Sequence, residues 1–304
     1  MTNRLELNWK LDGFVDEQRY YCSETAFTFE TKPMPKAVLA GDVRTYVDND
    51  VDVDKVYYTA IGALRDKTEK LSNLIQTSTL SSVIADLIDG YAGFWIDPSD
   101  FSTLYQDEAG TIPVTAVNQE VRKISDKSQN NVSITGLGML KHDDDGYYID
   151  LSGAGYGFIT SNVGMLDTVT LCTKVKATGG WGRIVDAIAS RRSLYLDRDD
   201  NGYSFSASSG QLLWASATGI QQNTIALVTG LANRSPAYNK IRIDKAEIST
   251  NTSDQGSNAT SISGVKIGST AAGQWKFVGN IYNMLLVCRT FSEVDLQSIE
   301  AELI

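Results

Sequence analysis

The chain contains one histidine, His142, in the acidic stretch LKHDDDGYY. A Ser-His-Asp or Cys-His device would have to use it, yet no G-x-S-x-G phrase lies nearby, so the sequence predicts a surface-loop histidine. Structural zinc needs four Cys/His ligands, and Cys22, Cys172 and Cys288 lack any C-x-x-C spacing. Odd in number and set in apolar runs such as LLVCRTF, they read as buried free thiols. Glycoside hydrolysis needs only two carboxylates about 5 to 9.5 Å apart, so a coincidental pair is available to any acidic chain. What is missing is an E-x-D-x-x-E strand phrase that would aim alternating carboxylates at one face. The chain therefore reads as a non-enzyme, with glycan hydrolysis as the alternative.

Two acidic groupings invite calcium. Asp48, Asp50, Asp52 and Asp54 alternate, which in a strand spreads carboxylates about 6 to 7 Å apart instead of gathering them around a point, so a solvated loop is the preferred reading. In LYLDRDDNGYSF, Asp197, Asp199, Asn201 and Gly202 have the spacing of the first half of an EF-hand loop, but the twelfth position is Ser208 instead of Glu. A hairpin with Asn201-Gly202 at its tip explains the same residues without a cofactor. For ligand recognition the candidates are aromatic platforms with polar neighbours. Trp181 stands between Gly180 and Gly182 and is a candidate exposed stacking face, whereas Trp214 is assigned to the core. Arg183, Arg191 and Arg192 follow closely in sequence and could engage acidic sugars.

The elements that must hold these residues are strands. Five prolines against 25 glycines, with Ser, Thr, Asn and Asp clustered between short Val/Ile/Leu/Tyr runs, predict an all-β chain, and 304 residues allow two cores. The predicted domains are 1–75, a β module with Trp9 in its core; 76–90, a linker carrying a helix; and 91–304, a larger sandwich. The helix rests on Leu80, Val83, Ile84, Leu87 and Ile88 at helical spacing, with Ser78 or Thr79 as N-cap. A formal charge of −10 argues against nucleic acid. No apolar run approaches the 18 to 20 or so residues of a membrane helix, and MTNRLELNWK lacks a signal-peptide core, so the expectation is cytosolic synthesis without membrane insertion.

Three stretches carry a family resemblance. WKLDG, RYYCSET and RTYVDNDVDVDKVYYTAIGALRDKTEKLS resemble the divergent fibronectin type III modules of bacteriophage tail proteins, with the usual first strand short or missing. Trp95 to Asp100, Gln106 to Pro113 and Asp126 to Ser128 resemble the opening of concanavalin A-like or LamG-like jelly rolls. VKIGSTAAGQWKFVGNIYNMLLVCRTFSEVDLQSIEAEL resembles their close: an aromatic-bearing strand, an apolar strand and a final helix capped by Ser292 with Asp295, whose apolar side is Leu296, Ile299, Ala301 and Leu303. The resemblance implies a phage or prophage tail fibre or tail-tip receptor-binding protein in the virion tail. Its implied partners are a host cell-surface glycan and other tail proteins. It further implies a homotrimer, with a monomer as the alternative, no obligatory cofactor, and calcium at Asp197, Asp199 and Asn201 if anywhere; the helix itself is read as packing within its own chain, with a seam between subunits as the other reading. A purely structural tail or baseplate component is the remaining alternative.

Overall fold

The structure, a computed structural model, describes residues 5–52, 55–79, 82–128, 130–165, 167–188, 192–209, 214–253 and 261–304. The chain is all-β with short helices and divides into two compact units, Met1–Ser82 and Val83–Ile304.

The first unit contains β1 (Leu5–Asn8), β2 (Glu17–Ser23), β3 (Ala37–Ala40), β4 (Thr45–Asp48), β5 (Lys55–Arg65), β6 (Thr68–Leu71) and β7 (Ile75–Thr79). β1 pairs only with β4, and a second sheet runs β3-β2-β5 with both β6 and β7 along the far edge of β5. The β5–β6 connection is a two-residue turn whose Asp66 and Lys67 both take positive φ, 50° and 65°, matching the twist of a hairpin. A small core forms around Tyr21, Phe27 and Ala60. Trp9 is not in it: the side chain is half-buried just past β1, and its indole N–H donates to Gln18 Oε1 at 2.7 Å. The acidic ladder is not one face either. Asp48 is buried and accepts from the Tyr20 hydroxyl at 3.0 Å and Lys36 Nζ at 2.8 Å, while the Tyr57 hydroxyl accepts from the Asp52 amide at 2.9 Å. Asp54 lies outside the described residues.

The second unit opens with α1 (Val83–Ile88), followed by β8 (Gly93–Ile96), β9 (Leu104–Tyr105), β10 (Glu120–Ser125), β11 (Ser133–Asp143), β12 (Gly146–Asp150), β13 (Gly157–Thr160) and β14 (Gly164–Met165). Then come β15 (Thr168–Ala177), β16 (Gly182–Ile188), β17 (Arg192–Arg198), β18 (Gly202–Ser209), β19 (Ala215–Thr218) and β20 (Ile225–Arg234). β21 (Ala237–Ile243), β22 (Ala246–Asn251), β23 (Ser261–Ile262), β24 (Gly264–Ile267), β25 (Gly279–Val287) and α2 (Glu293–Glu302) complete it. The strands run β19-β18-β17-β16-β24-β13-β11-β12-β25-β15-β20-β21-β22, folded so that side chains such as Leu140, Leu171, Leu196, Phe205 and Leu286 meet in one core. β12 and β15 do not pair directly; each pairs with β25.

β25 is buried at every position because it is covered on both faces. Met284 and Leu286 face the main core, while Leu285 and Val287 face a second cluster with Trp95, Cys172 and Leu231, roofed by Ile84 and Ile88 of α1 and Leu296, Ile299 and Leu303 of α2. α1 is shorter than the predicted helix: Ser78 and Thr79 belong to β7, and Leu80 is outside the described residues. Ile84 and Ile88 pack on their own chain, the preferred reading of the helix, while Val83 stays 45% exposed. α2 starts as expected, with the Ser292 hydroxyl oxygen accepting from the Asp295 amide at 3.2 Å. Ala301 is exposed, however, and Glu300 is fully buried, because Arg242 on β21 reaches both of its oxygens at 3.0 and 3.1 Å. His142 is an exposed side chain on β11, not in a loop, with its ring 4.5 Å from that of Tyr147.

Candidate functional site

Four connections meet at one end of the sandwich: β15–β16, the β17–β18 turn, β19–β20 and β24–β25. Backbone bonds tie them together, from Ile220 N to Asn201 O at 3.1 Å, Asn223 N to Ala177 O at 2.8 Å, Gly179 N to Val278 O at 3.0 Å, and Arg183 N to Trp275 O at 2.8 Å. The glycines around Trp181 exist for these close approaches. A Cβ on Gly182 would stand 2.5 Å from Lys276 O, and one on Gly180 would stand 2.8 Å from Asp200 Oδ1. With both neighbours pressed inward, Trp181 is left outside at 47% exposure, its ring centroid 4.5 Å from that of Trp275, itself 49% exposed. Trp275 holds φ at +46°, a conformation that costs a bulky residue energy and is kept where surrounding contacts impose it.

Those contacts come from below. On β17, Tyr195 and Asp197 alternate with the core residues Leu194 and Leu196 and so point to the sheet's outer surface. There Arg183 Nε and Nη2 bond Asp197 Oδ1 and Oδ2 at 2.6 and 3.0 Å, and Nη1 bonds Asp186 Oδ1 at 3.2 Å. Asp186 Oδ2 accepts from the Ala271 amide at 2.5 Å, which anchors the β24–β25 loop. The guanidinium carbon lies 3.8 Å from the Tyr195 ring centre and 5.4 Å from that of Trp275, and Trp214 stacks on Tyr195 at 5.9 Å. The result is a ribbon of π-faces and one planar cation, exposed at the Trp181–Trp275 end.

Burial pushes the Asp197 carboxyl above its ordinary range, the bonds from Arg183 offsetting only part of that; burial pulls the Arg183 guanidinium down, but the bond to Asp197 and the charges of Asp197 and Asp186 together outweigh it and hold the guanidinium above its usual value. A raised carboxyl suits a general acid, yet both Asp197 oxygens and both Asp186 oxygens already accept bonds from Arg183 or Ala271. Each of the four oxygens is thus engaged in holding the Arg183 scaffold or the β24–β25 loop.

Of the residues singled out from sequence, the structure brings together Trp181, Arg183 and Asp197, but in other roles. Arg183 is buried at 6% exposure and fixes the site instead of greeting a ligand. Arg191 lies outside the described residues, and Arg192 starts β17 at its far end, opposite Ser209. Asp197, Asp199 and Asn201 do not converge on a cation. Asp197 is spent on Arg183, and Asp199 shapes a turn: its amide donates to Gly202 O at 3.0 Å and its Oδ1 accepts from the Asn201 amide at 2.8 Å. The tip is Asp200-Asn201, one residue earlier than predicted. Among the described residues, no three His, Cys, Asp or Glu side chains gather as a metal site. Trp214 is half-buried on the outer surface, not in the core. Trp275, Tyr195, Asp186 and Asp200 were missed. The Gly273-Gln-Trp275-Lys run was legible as a turn signal, but reading Trp275 as a strand residue hid it.

Two recesses lie elsewhere among the described residues. A groove of about 580 Å³ in the first unit is walled by apolar side chains including Leu5, Leu7, Leu71 and Ile75. A recess of about 220 Å³ beyond α2 holds Lys174, whose Nζ is spent on the Asp145 and Ile304 carbonyls at 3.0 and 2.5 Å.

No family model and no curated protein matches the sequence. Among solved structures the chain is similar to the botulinum neurotoxin serotype D ligand-binding domain in complex with N-acetylneuraminic acid, at 13% identity and a TM-score of 0.48 over 59% of this chain and 48% of that one. It is similar also to the binding domain of botulinum neurotoxin DC in complex with SialylT, at 12% identity and a TM-score of 0.48 over 61% of this chain and 51% of that one. The chain spans about half the length of these solved chains.

Proposed function

We propose that the chain is a non-enzymatic attachment protein whose second unit binds a cell-surface glycan at Trp181 and Trp275. The observation that carries this reading is the Trp pair itself: two indoles, each about half exposed and 4.5 Å apart, held by a buried ionic scaffold on a rigid sandwich end. Sugar rings offer an apolar C–H face to such indoles while their hydroxyls bond polar neighbours, and exposed Asp200 and Gln222 stand beside Gly180 for that purpose.

The place of action we propose is the tail fibre or tail tip of a phage or prophage, with a concanavalin A-like jelly roll as the binding unit. Support comes from the Trp95 to Asp100 phrase and the closing β25–α2 phrase. For the first unit we propose a fibronectin type III-like module. Its support is the division into a β1-β4 ladder and a separate β3-β2-β5-β6 sheet, the Tyr57 hydroxyl bound to the backbone a few residues upstream, and the groove that Leu5 and Leu7 of β1 line together with Ile61 of β5. A shallow sugar site binds near millimolar, about −4 kcal/mol, so attachment rests on several sites acting together, and a homotrimer would supply them. The test incubates the intact chain with capsular and lipopolysaccharide preparations. Retention on the polysaccharide with unchanged chain length supports the reading, and depolymerisation contradicts it. Light scattering that returns the 33.2 kDa of one chain removes the trimer.

A further inference from the structure

Resting on the glycan reading above, we infer that the ligand is a neutral pyranose chain and that sialylated or uronate-bearing chains are rejected. The argument is one of charge around the Trp pair. Among the described residues, the cation against the Trp275 ring is Arg183, and it is surrounded: two carboxylates hold its N–H groups, and Tyr195 and Trp275 cover its plane. Its single charge is outnumbered by Asp186 and Asp197, and none of the donors aimed at those carboxylates is free to clamp a sugar acid in the bidentate way that makes arginine an anion reader.

The neighbouring turn deepens the negative field. Asp200 places a carboxylate oxygen against Gly180, one residue from Trp181. Arg198, next in the chain to Asp199, is fully buried; its Nη1 and Nη2 are committed to Gly202 O and Ile220 O at 2.7 and 2.8 Å, so it braces two loops and faces no ligand. Lys276, next in the chain to Trp275, is exposed, as is Asp200. Arg192 begins β17 five residues before Asp197, roughly 16 Å away along the strand. A whole-chain charge of −10 adds repulsion at longer range. What remains at the indoles is stacking surface plus carboxylate and amide acceptors, which suits sugar hydroxyls and opposes a sugar carboxylate.

The test is a glycan array at physiological ionic strength carrying neutral hexose and N-acetylhexosamine chains beside the same chains capped with sialic acid or uronate. It is run with the wild-type chain, Trp275→Ala, Trp275→Phe and Asp200→Lys. The expected result is binding to neutral chains at least about tenfold tighter than to their acidic counterparts, lost in Trp275→Ala and largely kept in Trp275→Phe, with Asp200→Lys narrowing the neutral-to-acidic gap. Acidic chains bound as well as or better than neutral ones, with Trp275→Ala still losing both, would overturn the charge inference and leave the glycan reading standing. No glycan bound by a wild-type chain that unfolds cooperatively overturns both.

Discussion

The second unit's sandwich has two outer surfaces, and each carries a buried arginine clasped by a carboxylate. On one, Arg242 grips Glu300 under α2, and the surrounding Trp95, Leu231, Leu285 and Val287 are roofed by the two helices. On the other, Arg183 grips Asp197 with comparable bidentate geometry, but what covers it is a loop whose Trp275, with Trp181 beside it, stays half exposed. The same ion-pair chemistry thus does two jobs. Beneath a roof of helices it locks an element to a sheet; beneath exposed aromatics it holds the loop that carries Trp275. The surroundings of the pair assign its role, and the pair alone does not.

The sharpest way to break this comparison is to cut each clasp. Arg242→Ala leaves Glu300 buried without a partner and is expected to cost about 3 to 5 kcal/mol in urea unfolding, while the folded fraction keeps its glycan affinity. A loss under about 1 kcal/mol would show that α2 is not held by this pair. Arg183→Met removes the cation from between Asp186 and Asp197 and is expected to cost about 2 to 4 kcal/mol at pH 8 together with glycan binding. Its pH dependence has a definite sign. Burial already raises the Asp197 carboxyl, so its contribution is fully present below the unfolded carboxylate range and is lost as pH rises through the raised value. Losing Arg183 moves that window upward, and the variant should be more stable relative to wild type at pH 5 than at pH 8. A penalty independent of pH would mean that the two carboxylates do not depend on Arg183.

A smaller effect sharpens the link between packing and site. Gly182→Ala drives a Cβ toward Lys276 O, a backbone atom that cannot swing away. An expected cost of about 1 to 3 kcal/mol should come with weakened binding, because the displaced segment carries Trp275. Unchanged binding at that cost would separate the loop's position from the site. The smallest expected change is at the thiols. Burial pushes Cys172 up to about 12 and Cys288 up to about 11, and Cys22 is raised as well. Thiolate is then scarce at pH 8, and native alkylation should be slow, accelerating with rising pH or with denaturant. Rapid native labelling of Cys172 would mean that the helix roof opens.

Much of the fold was legible because alternation and capping are local. The apolar strand β25 reads directly from NIYNMLLV in the closing stretch, and the Ser292 cap reads from SEVD. The roles of buried charges were not legible. Glu300 looks like a solvated helix residue until Arg242, 58 positions away, is seen to reach it, and Ala301 was assigned inward in its place. Trp181 was legible as an exposed aromatic from its two glycines. Its partner Trp275 was not, since the two approach only because β16 and the β24–β25 loop are brought together across the sheet. Arg183 was found for the wrong reason: its neighbours in sequence suggested a cationic patch, whereas its neighbours in space are carboxylates.

The central claim is that the open end of the sandwich binds glycan through its two indoles. The most direct measurement compares wild type with the Trp181→Ala/Trp275→Ala double variant for retention on host-surface polysaccharide, with unfolding free energies measured in parallel. Side chains this exposed should change stability by no more than about 1 kcal/mol when truncated. The account expects retention to be lost while the unfolding free energy stays within that range. Equal retention by both proteins would contradict it.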